Sequence, residues 1–498
     1  MRLLLLLLLA TTARAAALDD YFDRAAAHGF SGAVLIARGD QVLLRRGYGF
    51  ADRQRGIAAT TETAFDIASL DKQFLAAAIL RLEEEGKLKT GDPLSRFFEN
   101  LPADKRGITL HQVLSHTAGF GDEYWDSYPG HTRAQFLAEV LAKPLAHPAG
   151  QFDYASFDYW LIEEVIERVS GLPFEAYLRR ELWQPAGMEH TGFALPRWDD
   201  ARVARYTLWT VPPEKLPGIL RWPDPRQRVD GWRSLLSTPE DLARWWRALR
   251  DGRVVTPASR ARLFTPVLQG YAYGWNVTTT ARGTRLVHHG GAGNGISLVT
   301  FRWFVEEDTF VVICNNSLNG DFAMDYVLSD VEALLFGGLG SMPSPVTARV
   351  PDGAWAGRYR LPSGGVIEVI QPAGGPLLAR SFDAGGIVAL SFGGVAADGA
   401  RLLSTAFVYE GQPEIQVYSR TAGGGVLRTI VGPSGPPQRD EQRMPAGIEA
   451  VLAPAPGGGF TTWNFRLRTA VRVTFDGQGL HLRGANGEVV AARLAKEN

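Results

Sequence analysis

The stretch Phe65-Asp66-Ile67-Ala68-Ser69-Leu70-Asp71-Lys72-Gln73-Phe74-Leu75-Ala76-Ala77-Ala78-Ile79-Leu80-Arg81-Leu82, followed by Glu83-Glu84-Glu85-Gly86, decides how this chain is read. Apolar residues at Leu75, Ile79 and Leu82 follow the i, i+4, i+7 rule of a helical stripe, and Gly86 supplies a stop, so a helix is expected from about Leu70 to Glu85. On such a helix Ser69 and Lys72, three apart, stand side by side. Lys72 is in phase with Ala68, Leu75, Ile79 and Leu82, so its stem should point toward the apolar stripe. Desolvation there favours the neutral amine, the form able to accept a proton from Ser69. The free N–H groups at the helix start can steady negative charge on a carbonyl attacked by that serine. Taken alone, the same four residues also describe a serine cap beside a solvated lysine. This is the sole Ser-x-x-Lys in the chain.

Composition sets the frame. The 498 residues are 45% hydrophobic and 21% charged, which excludes a disordered or collagen-like polymer and gives ample material for a large core. With 52 basic against 53 acidic side chains there is no global attraction for nucleic acid or an anionic membrane, and small-molecule or peptide chemistry is the better fit. A single cysteine, Cys314, can supply neither an internal disulfide nor a Cys-rich metal site, and it lies in the apolar run Phe310-Val311-Val312-Ile313, which reads as a buried structural thiol. Met1-Arg2, the apolar run Leu3 to Leu9 and the small residues around Ala13 to Ala17 read as a signal peptide over 1–17, too short to span a bilayer. The expected product is exported, periplasmic or extracellular, without stable membrane insertion.

Two strands around Arg38-Gly39-Asp40 form a hairpin pattern, and strands at Ile296 to Phe301 and Thr309 to Ile313 precede a helix near Met324 to Leu335. Between them, from about Thr109 to Trp246, the pattern is mainly helical. Strands, an α-rich insertion, strands and a helix suggest one sheet built from both ends of a segment over 18–336. Breakers at Gly337 to Pro345 mark a linker over 337–352, and short alternating runs from 353 to 498 read as an all-β sandwich or barrel.

Two further elements could carry chemistry. In Tyr154-Ala155-Ser156 a phenol held near cationic groups could relay a proton to a leaving group, although an ordinary aromatic loop residue fits the same pattern. In His288-His289-Gly290-Gly291-Ala292-Gly293-Asn294-Gly295 the glycines would let a substrate backbone lie close to a strand edge and free an N–H for an oxyanion. Paired histidines also suggest a metal. Adjacent strand residues point to opposite faces, however, and no HExxH is present. Neither a Gly-x-Ser-x-Gly elbow nor a phosphate-binding P-loop motif occurs.

These three elements, in this order, resemble the active-site triplet of the serine β-lactamase and penicillin-binding protein superfamily, in the branch of class C β-lactamases, D-aminopeptidases and related esterases. The resemblance extends over about residues 19–335 and includes Phe30-Ser31-Gly32-Ala33-Val34, Leu82 to Leu88, Leu114-Ser115-His116-Thr117-Ala118-Gly119, Ser237 to Leu242 and Tyr271-Ala272-Tyr273-Gly274-Trp275. It implies an α+β fold, an antiparallel sheet flanked by helices with an inserted α-rich lobe, followed by a C-terminal lipocalin-like barrel. It implies Ser69 as nucleophile, Lys72 as its activating partner, Tyr154 as second proton relay, and His289-Gly290-Gly291 in place of the usual Lys-Thr-Gly. Backbone N–H groups of Ser69 and Ala292 would form the oxyanion hole. The implied cycle acylates and deacylates Ser69 on a small ester or peptide substrate, with no metal or organic cofactor.

Three residues depart from the family pattern. Ser156 stands where Asn is usual, so a shorter hydroxyl replaces the orienting amide. Asp71 stands where a small hydroxyl residue is common; because i and i+1 side chains diverge, and a first-turn acid suits the helix dipole, it is expected to turn away from Lys72. His289 is smaller than Lys and often neutral, which weakens recognition of a substrate carboxylate. The reading that results is an exported serine hydrolase of esters or (D-amino acid) peptides and amides. The alternatives are a catalytically silent binder of envelope peptides and a true β-lactamase or DD-carboxypeptidase.

Overall fold

The computed structural model describes residues 2–495 except 54, 122–132, 194–197, 206–234, 294–296, 318–319, 341–354, 372–376, 382–385, 387–388, 391–400, 410–411, 421–425, 432–437, 441–447, 456–457, 465–468, 478 and 485–486. Asn294 and Gly295 of the glycine run, and most of the expected linker, lie outside the described residues.

Six strands form the central sheet: β1 (Gly32–Arg38), β2 (Gln41–Tyr48), β3 (Asn276–Thr279), β4 (Arg285–Gly293), β5 (Ser297–Phe304) and β6 (Thr309–Asn315), in the order β2-β1-β6-β5-β4-β3. Every neighbouring pair is antiparallel, and β1 and β6 zip together from Gly32 opposite Asn315 to Arg38 opposite Thr309. The two ends of the segment therefore meet at the middle of one sheet. β1 has no polar residue before Arg38 because both its faces are covered. Its alternation splits it between two cores: Ala33, Leu35 and Ala37 belong to one, Val34 and Ile36 to the other.

The second core is closed by two helices, α1 (Arg2–Ala27) and, at the far end of this half of the chain, Gly320–Phe336. Among the described side chains, α1 packs there through Leu18, Tyr21, Phe22 and Ala25, with Ala17 and Ala26 beside them. The first core holds α2 (Asp71–Glu84), α3 (Leu110–Leu114), α4 (Ser156–Ser170) and α5 (Pro239–Arg250). Side chains choose these ends: Thr109 makes a reciprocal capping box with Gln112, Thr238 accepts from the Asp241 N–H, and Gly171 ends α4 at φ 71°. α2 is buried nearly all round, from Lys72 to Leu80 and at Leu82, rather than along one stripe. Its Ala76-Ala77-Ala78 run lets neighbours approach from several sides.

Beyond residue 354, strands Gly357–Arg360, Val366–Ile370, Leu377–Ser381, Ile448–Pro454, Phe460–Asn464, Thr469–Phe475, Gly479–Gly484 and Gly487–Arg493 close into a barrel in that order. Tyr359, Ile367, Val369, Leu452, Phe460, Val471, Val473, Leu480 and Leu482 fill it. Between its third and fourth strands, Arg401–Tyr409, Gln412–Arg420, Val426–Val431 and Gln438–Asp440 form a separate four-stranded sheet. The sequence pattern merges those strands with the barrel's own, because period-2 alternation is the same in both. Among the described residues no helix is long and apolar enough to cross a membrane.

Candidate active site

Ser69 lies in a short 3₁₀ turn, Ala68–Leu70, that runs into α2. Ala68, just before it, is held at φ 42°, a left-handed conformation that costs a residue with a Cβ about 1–2 kcal/mol. Its N–H donates to Asp66 Oδ1 at 2.8 Å, which ties the turn down. The result aims Ser69 at Lys72, whose Nζ donates to Ser69 Oγ at 3.1 Å. Lys72 is only 4% exposed, as its phase with Leu75, Ile79 and Leu82 requires.

β4 lies directly against this turn. A Cβ on Gly291 would stand 2.0 Å from the Ile67 carbonyl oxygen and 3.2 Å from Leu70 Cδ1, so only glycine allows the strand so close. That contact gives Gly291 a reason different from the substrate approach expected of it. Gly290, by contrast, is exposed, and nothing but the Val299 carbonyl at 3.9 Å lies near its missing Cβ. β3 pairs with β4 only as far as Asn276 opposite His288. From His289 to Ala292 the β4 edge away from β5 has no strand partner among the described residues, which leaves backbone available beside Ser69. Gly274, at φ 75°, packs on the other side of the pair, where a Cβ would meet the Lys72 carbonyl oxygen at 2.6 Å.

Tyr154 stands over Lys72, its ring centroid 5.2 Å from Nζ, with Tyr159 of α4 at 5.6 Å. A cation at this distance from two aromatic faces is held by their quadrupoles. Ser156, 7% exposed, opens α4 two residues after Tyr154. His289 completes the ring of expected residues, its centroid 6.2 Å from that of Tyr154. His288 turns the other way, toward Thr278 Oγ1 at 3.4 Å, so the two imidazoles do not share a site.

Behind these residues runs a buried chain that the sequence reading did not assign. His116 Nδ1 lies 2.9 Å from Asp158 Oδ2, and its Nε2 lies 3.2 Å from the Tyr271 hydroxyl. Tyr271 OH is also 3.4 Å from His289 Nε2, and His289 Nδ1 donates to the Gly290 carbonyl at 2.6 Å. His116, Asp158, Tyr271 and His289 are all at most 4% exposed. Apart from His289, already a candidate, their only signal in the sequence is that His116 and Tyr271 fall in two of the stretches that carry the family resemblance. Burial, then the Lys72 charge, pushes His289 down to about 4, the Gly290 carbonyl opposing this in part. Burial, Lys72 and His289 likewise hold His116 well below the ordinary histidine value. Burial raises Tyr159 and Tyr271 well above the ordinary phenol value.

One expectation is corrected. Asp71 does not turn away from Lys72: its Oδ1 is 3.9 Å from Nζ, and its side chain is 18% exposed. The reason lies in the tight turn at Ala68–Leu70 and in the burial of α2 on every side, which leaves the first residue of the helix facing the same enclosed space as the second.

A family model described as Beta-lactamase matches residues 18–329, more than half of the chain. The chain belongs to the Beta-lactamase family. Among its relatives is a putative penicillin-binding protein, PbpX, of Bacillus subtilis, 29% identical over 48% of this chain and 59% of that protein. Penicillin-binding protein 4* of the same organism is 27% identical over 62% of this chain and 73% of its own length. The solved structure of SurE with D-Leu superposes with a TM-score of 0.55 at 19% identity, covering 97% of this chain and all (100%) of SurE, a likeness of fold that includes the C-terminal barrel. The fold is thus that of the Beta-lactamase family's mixed α+β domain followed by an antiparallel barrel, and the family is one of serine hydrolases and penicillin-binding proteins acting on small substrates.

Proposed function

We propose that this Beta-lactamase-family chain is an exported serine hydrolase that cleaves esters or (D-amino acid) peptides and amides through an acyl-enzyme on Ser69. The observation that carries the reading is the 3.1 Å contact of Lys72 Nζ with Ser69 Oγ at the start of a buried helix. Neutral Lys72 takes the hydroxyl proton as Oγ attacks the substrate carbonyl carbon. The oxyanion is met by the backbone N–H groups of Ser69 and Ala292. Tyr154, over the amine, passes a proton to the departing alkoxide or amine. Water then attacks the Ser69 ester, giving its proton to the Tyr154 phenolate, while Lys72 returns its proton to Ser69 Oγ as the acid is released.

The state of His289 narrows the substrates. A buried imidazole pushed down to about 4 is uncharged at neutral pH, and both its nitrogens are engaged by the Gly290 carbonyl and the Tyr271 hydroxyl, so it presents no cation to the acyl group. Esters and amides without a carboxylate at that position fit best. Export is inferred from the order of Met1-Arg2, the apolar run Leu3 to Leu9 and the small residues up to Ala17, which is that of a cleavable signal.

A panel of ester, D-aminoacyl amide and lactam substrates, with a phosphonate probe read by intact mass, tests this reading. Turnover and a single adduct, both lost in Ser69→Ala, are expected; an equal adduct on Ser69→Ala refutes it. Asp71 beside Lys72, together with the short Ser156 hydroxyl, favours as second reading a silent penicillin-binding-like protein that holds envelope peptides, which turnover of any panel member excludes. A β-lactamase or DD-carboxypeptidase proper would label at Ser69 with a fluorescent penicillin.

A further inference from the structure

We propose that Asp71 is a positioning residue that holds Lys72 as an ammonium and so confines activation of Ser69 to alkaline conditions. This rests on the hydrolase reading for its catalytic consequence, although not for the electrostatics. A carboxylate 3.9 Å from an amine that is itself 4% exposed acts with little solvent between them, and an opposite charge at that distance favours the charged form of each. Among the described residues, several groups face Lys72 from the elements packed around it. Ser69 accepts its hydrogen bond from the preceding turn; Tyr154 and Tyr159 present ring faces from the start of α4. His116 and His289 sense its charge from the loop after α3 and from β4, and both are held uncharged; Asp158 stands behind His116, beyond the imidazole. Tyr271 bridges those two histidines and remains a neutral phenol. Asp71 is a carboxylate paired directly with the amine, and its charge also reaches Tyr159 and Tyr271, helping to keep both protonated.

The consequence is a resting state in which the ammonium donates to Ser69 Oγ and cannot take its proton. Loss of one proton from Lys72 to solvent restores the base, and Asp71 moves that loss to higher pH. A small hydroxyl residue in place of Asp71 removes this restraint.

The test reads Lys72 directly. The chain has only seven lysines, so full-length protein grown with ¹³Cε-lysine gives few signals, and Lys72→Met assigns the one of interest. Its titration is compared in wild type, Asp71→Asn, Asp71→Ser and Asp71→Glu, alongside the pH dependence of phosphonate labelling at Ser69. The Lys72 midpoint is expected to fall by about one pH unit or more in Asp71→Asn and Asp71→Ser and to be retained in Asp71→Glu, with the acid limb of labelling moving in step. An unchanged midpoint in Asp71→Asn overturns the proposal, and so does a stability loss without any change in titration, which would reduce Asp71 to a partner of the helix dipole. A lowered midpoint in a protein whose Ser69 never labels would uphold the electrostatics and refute the hydrolase reading instead.

Discussion

Gly291 and Ile67 are in contact so close that the strand and the nucleophile turn act as one piece: a single added carbon on Gly291 would lie 2.0 Å from the Ile67 carbonyl oxygen. Ser69, two residues after Ile67, takes its position from that contact, from the Asp66 bond to the Ala68 N–H and from the left-handed Ala68.

Gly291→Ala is accordingly expected to push β4 off the turn, costing about 1–3 kcal/mol of stability and most of the phosphonate reactivity. Gly290→Ala, one residue away but facing open space, is expected to leave the fold stability near wild type. Paired urea melts and labelling rates decide it; equal effects of the two substitutions would contradict the contact.

Lys72→Met keeps the buried stem and removes the amine. Labelling of Ser69 is expected to slow by about 10²–10⁴-fold, the usual worth of a positioned proton acceptor, while circular dichroism stays unchanged. A labelling rate within a few-fold of wild type would remove Lys72 from the reaction.

His289 predicts a pH dependence of stability. Its folded value lies near 4, below the ordinary 6.5, so between these limits the unfolded chain binds the extra proton. Stability therefore rises with pH across that window and is lost as pH falls from 6.5 toward 4, by on the order of 2–3 kcal/mol at most. Between pH 7 and pH 4 wild type should lose stability relative to His289→Gln, so that the difference between their denaturant midpoints changes with pH in the direction that favours the variant in acid. Parallel curves would mean that His289 is not held uncharged.

The buried chain behind the site makes a prediction about coupling. Tyr271→Phe removes one hydroxyl that faces two imidazoles and is expected to cost about 1 kcal/mol, whereas His116→Leu takes a partner from buried Asp158 and should cost about 3 kcal/mol. Because they share a bond, the double variant should lose less than the sum. Additive losses would show that the chain is four neighbours rather than a network.

Deleting residues 1–17 is expected to change thermal stability little, since the fully buried side chains described for α1 are Leu18, Tyr21, Phe22 and Ala25, whereas Phe22→Ala should cost about 3–5 kcal/mol. The mature N-terminus of exported protein, read by mass, should start near Leu18. An exported chain that retains Leu3 to Leu9 would contradict the signal assignment.

The parts of the fold that were legible in the sequence are those in which period and punctuation agree. The hairpin of β1 and β2 turns where Gly39 and Asp40 stand, and α2 runs from Asp71 to Glu84 as the spacing of Leu75, Ile79 and Leu82 predicts. Ser69 and Lys72 could be paired because the 3₁₀ turn that carries Ser69 runs straight into that helix, which keeps residues three apart together. The buried chain was not legible, since Asp158, His116, Tyr271 and His289 come from four separate segments and meet only through the tertiary fold. Asp71 turns toward Lys72 although neighbouring side chains on a regular helix diverge, because it follows directly on the tight 3₁₀ turn at Ala68–Leu70, which the helical period does not reveal. The four-stranded sheet inside the barrel region was missed because pairing partners, unlike strands, leave no local mark.

The lone thiol of Cys314 is fully covered, on a central strand of the sheet and next to the last residue of β6, with burial pushing its ionisation far up. Maleimide capture at this sulfur thus requires the central sheet to open, so labelling rate becomes a built-in clock for global unfolding of this half of the molecule. The same silence in the native state means that a cysteine placed anywhere on the outside would be the one site a dye could find.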